Sequence, residues 1–113
     1  MSFQLHWTPE ATRTFEELER AARSAAEKSK GPKSSKQAGL FKQVAKAIQL
    51  LGENPRHPGL QTHAYDSLEH PFDQGEKVFE ASAQNRTPGA YRIFWCYGPG
   101  RGDITIIAIT PHP

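Results

Sequence analysis

Arg92 is the residue whose setting most suggests chemistry. It is the only charge within Tyr91-Arg92-Ile93-Phe94-Trp95-Cys96-Tyr97, a β-branched and aromatic run. A guanidinium on a rigid strand suits a phosphate, through permanent charge and paired donors. The plainer reading is an exposed arginine on the solvent side of an edge strand. His112 comes next, between Pro111 and Pro113 after the last predicted strand. Histidine serves as general acid or base near neutrality, and the prolines restrict its backbone. The plainer reading there is a frayed end.

His57, His63 and His70 lie near Asp66, Glu69 and Asp73. Their spacing does not match the i, i+4 pair of a helical metal site, so no metal or other cofactor is expected. One of the three histidines can still face a substrate. Tyr65, Tyr91, Trp95 and Tyr97 can stack on bases or fill the core. Cys96 has no activating neighbour in sequence and reads as a small buried residue. Phosphate-binding loops, dinucleotide fingerprints, nucleophile elbows and zinc motifs are missing.

The charge is uneven. The 113 residues carry a formal net charge of +2. Lys28, Lys30, Lys33, Lys36, Lys42 and Lys46 fall between Glu27 and Glu53 with no acidic residue among them. Such a stretch can follow a phosphate backbone, each contact releasing counterions. It can equally be a solvated connection.

One domain spanning 1–113 is expected to hold these residues. Phe3, Leu5 and Trp7 alternate with polar residues, the period of a half-buried strand. Thr8-Pro9-Glu10 reads as a helix start. Ala11, Phe15, Leu18, Ala22 and Ala25 make one apolar face, and Leu40, Val44, Ala47, Ile48 and Leu51 make a second, ended by Gly52 and Pro55. Strands are predicted at 61–65, 77–83, 91–97 and 104–110, with short turns favouring an antiparallel meander. The fold class is then α+β, an N-terminal helical hairpin on a mainly antiparallel sheet of about four to five strands. The helices cover one face of it; Arg92, Phe94 and Cys96 share the other, expected to be open to solvent or ligand. No apolar run reaches ~18 residues and the first residues do not form a signal peptide, so a soluble, cytoplasmic protein without membrane contact is expected.

These segments resemble the RelE/ParE toxin superfamily of bacterial toxin–antitoxin systems. The likeness lies in Leu50-Leu51-Gly52-Glu53-Asn54-Pro55 with Pro58-Gly59-Leu60, in Lys77-Val78-Phe79-Glu80-Ala81, in Tyr91-Arg92-Ile93-Phe94-Trp95, and in the last strand with Pro111-His112. The resemblance implies a toxin that cuts messenger RNA on the ribosome by attack of a 2′-hydroxyl on the adjacent phosphate. Arg92 would hold the scissile phosphate and His112 would move a proton, with His63 approaching from the preceding loop. Lysines 28, 30, 33, 36, 42 and 46 would supply the RNA-binding surface. It also implies a cognate antitoxin, bound in a hetero-oligomer. Some members carry a tyrosine beside the terminal histidine, where this sequence has Pro113. One subgroup places a glutamate base where 57–60 holds none. A gyrase inhibitor without ribonuclease activity, or an inert relative that binds RNA or protein, therefore stays open.

Overall fold

The computed structural model describes residues 2–28, 36–84 and 89–111. The order is β1 (Gln4–Trp7), α1 (Pro9–Lys28), α2 (Lys36–Glu53), a 3-10 turn (Pro58–Leu60), β2 (His63–Tyr65), β3 (Val78–Ser82), β4 (Tyr91–Tyr97) and β5 (Asp103–Pro111). The five strands form one sheet in the order β1-β5-β4-β3-β2. The pairs β2–β3, β3–β4 and β4–β5 are antiparallel, as the short turns require. The expected mainly antiparallel sheet needs one correction. It is mixed, because β1 lies parallel to β5. The chain reaches that pairing only after the helical hairpin and three further strands, a separation no local turn signal encodes.

Thr8 joins the layers. Its side chain accepts from the Ala11 N–H at 3.1 Å, capping α1, and its hydroxyl donates to the Ile107 carbonyl at 2.6 Å. Its own N–H donates to the Ile106 carbonyl at 3.1 Å. Helix α1 is thus pinned to β5 at its first turn. Gly52 lies in the last turn of α2 rather than beyond it. A Cβ there would meet Leu5 at 3.4 Å, so the glycine admits a close approach of β1. The Phe3 N–H donates to the Gly52 carbonyl at 2.7 Å.

The main core lies between sheet and helices. Val44, Ala47, Ile48 and Leu51 of α2 and Ala11 of α1 pack on Ala81, Ile93, Trp95, Ile104, Ile106 and Ile109. A register shift at Phe94/Trp95 pairs Phe94 with Ala108 and Trp95 with Ile106, leaving Ile107 as an extra residue. This bulge switches the strand's parity, so Ile106 and Ile109 both reach the helix side. The far face is not open as expected. Val78, Phe94 and Ala108 form a second small cluster there with Tyr65 and Ile107, and Cys96 is fully buried.

His70 holds the loop before β3. Its Nδ1 accepts from the N–H groups of Phe72 (3.1 Å) and Asp73 (3.0 Å), and its Nε2 lies 2.9 Å from the Tyr97 carbonyl. Only the tautomer with its proton on Nε2 satisfies all three contacts. His70 is thereby committed to structure.

Candidate active site

Three strands bring a charged row together on the face away from the helices. Glu80 and Phe94 are register partners, and so are Ser82 and Arg92. Arg92 is therefore the diagonal neighbour of Glu80, within reach of a long side chain. His63 lies directly opposite Glu80 on the other side of β3. The Glu80 carboxylate faces both: Oε1 is 3.5 Å from Arg92 Nη1 and Oε2 is 3.4 Å from His63 Nε2. Its side chain is 12 % exposed, that of Arg92 16 % and that of His63 59 %. The row thus runs from a nearly enclosed arginine to an accessible imidazole.

Aromatic rings hold the guanidinium. Arg92 Cζ lies 4.8 Å from the Phe94 ring centroid and 5.7 Å from that of Tyr65, and the two rings are 4.6 Å apart. This is cation–π geometry, which fixes the plane of the fork without using its donors. The Glu80 contact is long for a charge-assisted hydrogen bond, and Arg92 Nε has no hydrogen-bond partner among the described residues. Nε is sealed from solvent, so any capacity of the guanidinium for an anion lies with its terminal nitrogens. His63 Nδ1 is 3.1 Å from the Gln61 carbonyl. Both its ring nitrogens face oxygen atoms, Nδ1 the Gln61 carbonyl and Nε2 the Glu80 carboxylate.

The sequence-predicted residues divide three ways. Arg92 and His63 meet at the shared Glu80 carboxylate. His112, Lys30 and Lys33 lie outside the described residues, as does the side chain of Lys28, the last residue of α1. Lys36, Lys42 and Lys46 are exposed on α2, in the layer behind the sheet from Arg92. Lys46 lines a cavity with His57 and Leu60 of the turn after α2. His57 is spent locally, its Nδ1 accepting from the Gly59 N–H at 3.0 Å. Among the described residues no group of three or more His, Cys, Asp or Glu side chains is placed to hold a metal ion, and no helix is long and apolar enough to cross a membrane.

Glu80 is the residue that sequence reasoning passed over. Its signal was alternation: Val78, Glu80 and Ser82 share a face, and pairing β3 with β4 puts an acid beside the one arginine.

Cys96 is excluded as a nucleophile. Burial pushes its thiol from 9.0 up to about 11, opposed in part by a backbone hydrogen bond from Thr105. The folded protein favours the neutral thiol, so its contribution is complete below pH 9 and is lost as pH rises toward 11. Urea unfolding from pH 8 to 11 is expected to show the wild type losing up to about 1.4 kcal/mol per pH unit relative to Cys96→Ala. Parallel stability curves would contradict the burial argument.

No protein-family model matches the sequence, and no curated protein matches it. Solved structures do match. The chain is similar to the archaeal RelE-RelB complex from Pyrococcus horikoshii OT3, with 12% identity, TM-score 0.57, and coverage of 98% of this chain and 96% of the other. It is similar to the YoeB/ParE toxin from Agrobacterium tumefaciens, with 11% identity, TM-score 0.60, and coverage of 97% and 99%. A copper-bound mutant toxin from Helicobacter pylori aligns at 14% identity and TM-score 0.52, over 97% and 94%. These alignments run nearly end to end in both directions. The chain therefore has the RelE/ParE toxin fold.

Proposed function

We propose that the protein is the toxin of a type II toxin–antitoxin pair and a ribosome-dependent mRNA endoribonuclease. The observation that carries this reading is Arg92, packed beside two rings and sharing the Glu80 carboxylate with an exposed imidazole at contacts of 3.5 and 3.4 Å. In the proposed reaction a ribose 2′-oxygen bonds to the adjacent phosphorus and the bond from phosphorus to the 5′-oxygen breaks. The 2′-hydroxyl loses its proton to a base and the leaving oxygen gains one from an acid. Arg92 neutralises the charge that develops on the non-bridging oxygens, the term that usually contributes most. Glu80 holds His63 for one proton transfer, and His112 supplies the other.

The antitoxin reading rests on the resemblance to toxins and on the charge of α2. Exposed Lys36, Lys42 and Lys46 form a basic helix surface that an acidic segment folding on contact would cover.

Adding purified protein to a translation extract and mapping message ends by primer extension tests the reading. Codon-phased cuts dependent on ribosomes are expected. Intact message with inhibited gyrase supercoiling would replace it by the gyrase-directed alternative, and no effect in either assay would leave a binding role alone. Neutralising Lys36, Lys42 and Lys46 together is expected to flatten the salt dependence of ribosome binding by about 2 to 3 in log–log slope, at somewhat under one per phosphate contact. An unchanged slope would make these lysines a solvated surface.

A further inference from the structure

A second cavity lies around the sheet edge from Arg92, and we propose that it binds one nucleobase of a single-stranded RNA. It has a volume of about 480 Å³ between the turn after α2, β2 and the helix-side face of β3 and β4. That is within the range of small-molecule sites. Phe79, Trp95 and Tyr97 line it. Phe79 and Trp95 stack at 4.8 Å with 26° between planes, and Tyr97 stands across them at 81° to Trp95 and 79° to Phe79. Tyr97 is 39 % exposed, an unusual exposure for a large apolar ring beside a core tryptophan. Locked aromatic walls of this kind stack on any base, since every base has a π-face.

Charge selects the occupant. Arg56, His57 and His63 line the cavity, and no acidic residue does. The ligand that matches is flat, aromatic and anionic, which describes a nucleotide better than an aromatic side chain on an acidic peptide backbone. Trp95, 1 % exposed, lines the cavity from the core. Gln61 and Thr62 on the wall carry the polar atoms that can meet a base edge. Gln61 is held in the left-handed region at φ 49° as the cap of the 3-10 turn, its N–H donating to the Pro58 carbonyl, which fixes this wall.

His63 links the two places. It lines this cavity and also faces the Glu80 carboxylate that contacts Arg92. A strand with its scissile phosphate on Arg92 would pass over the β2 edge at His63 and set a base further along between Tyr97 and the turn. The identity of the strand rests on the ribonuclease reading; binding in the cavity is measurable without cleavage.

The test uses the full chain carrying Trp7→Phe, so that Trp95 is the sole tryptophan, and a 2′-O-methyl trinucleotide, which cannot be cut. A base stacked on Tyr97, whose ring lies 5.0 Å from that of Trp95, is expected to quench Trp95 fluorescence saturably. Tyr97→Ala and, independently, Arg56→Ala are expected to weaken binding about tenfold, the scale of one lost stack or charge contact. Arg23→Ala on α1 should leave it unchanged. Arg56 is exposed, so its variant stays informative if Tyr97→Ala fails to fold. Absence of quenching, or unchanged affinity in folded Tyr97→Ala and Arg56→Ala, overturns the inference even if Arg92-dependent cleavage is found. So does quenching by an acidic, aromatic-bearing peptide but not by the trinucleotide, which would assign the cavity to a protein partner. Quenching that follows both variants supports the inference, also in a protein that cleaves nothing, and the ribonuclease reading then fails alone.

Discussion

Replacing Arg92 by lysine is expected to lower the rate of message cleavage by about a hundredfold or more while leaving the unfolding midpoint close to that of the wild type. Lysine keeps a positive charge beside Glu80 and a stem that packs on Phe94, so the fold loses little. It loses the planar fork, which the Phe94 and Tyr65 rings hold in one orientation. Removing one well-placed donor to transition-state charge typically costs about 10²–10³ in rate. A single ammonium also cannot reproduce two parallel contacts to a phosphate. The check is the rate of codon-phased cutting by primer extension, with urea unfolding on the same samples. Full activity in Arg92→Lys would mean that this site needs charge alone. A large loss of stability with proportionate loss of activity would make Arg92 structural.

Glu80→Ala is expected to cost about 3 kcal/mol of stability, the lower end of what removing one partner from a buried ion pair costs. The side chains of Glu80 and Arg92 are 12 % and 16 % exposed, so the arginine left behind would have little water to replace the carboxylate. Adding Arg92→Ala to Glu80→Ala should recover part of that loss. The double-mutant cycle isolates the pair, with coupling of roughly 0.5–3 kcal/mol expected for groups in contact. Additive losses would show that Glu80 and Arg92 ignore each other despite their geometry. Activity gives a separate readout: Glu80→Gln keeps the shape, and its effect on the pH profile of cleavage should disappear in a His63→Ala background if Glu80 acts by holding His63.

Local signals made the elements legible. Thr8-Pro9 marked the start of α1 because a cap and a proline at the first position have defined chemistry, and the Ala11 N–H accordingly donates to Thr8. Tyr91 to Tyr97 announced a strand by composition, and its alternation put Arg92 opposite the helix-facing set. What stayed hidden depends on pairing across the sheet. The β1–β5 contact joins residues about a hundred positions apart, and neither strand carries a mark of it. The bulge at Ile107 defeats alternation in β5, where isoleucines at 104, 106, 107 and 109 satisfy either parity. Glu80 illustrates the same limit at the site. In its own strand it is one acid on a mixed face, and only the register with β2 and β4 gives it two partners. The second cluster around Phe94 was hidden for the same reason, since Val78, Ala108 and Tyr65 come from three other strands.

The parallel pairing of β1 with β5 also sets when the protein becomes itself. Strand β1 and both helices leave the ribosome early, but the main-chain bonds that seat Thr8 and Gln4 end on the carbonyls of Ile106 and Gly102. Domain cores whose partners lie far apart in sequence close late, because loop closure must precede the contacts that reward it. A nascent chain that stops before β5 lacks Ile104, Ile106 and Ile109, and with them one wall of the core. Arg92 precedes β5 in the chain, so the strand that flanks it on the side away from Glu80 and His63 joins the sheet last.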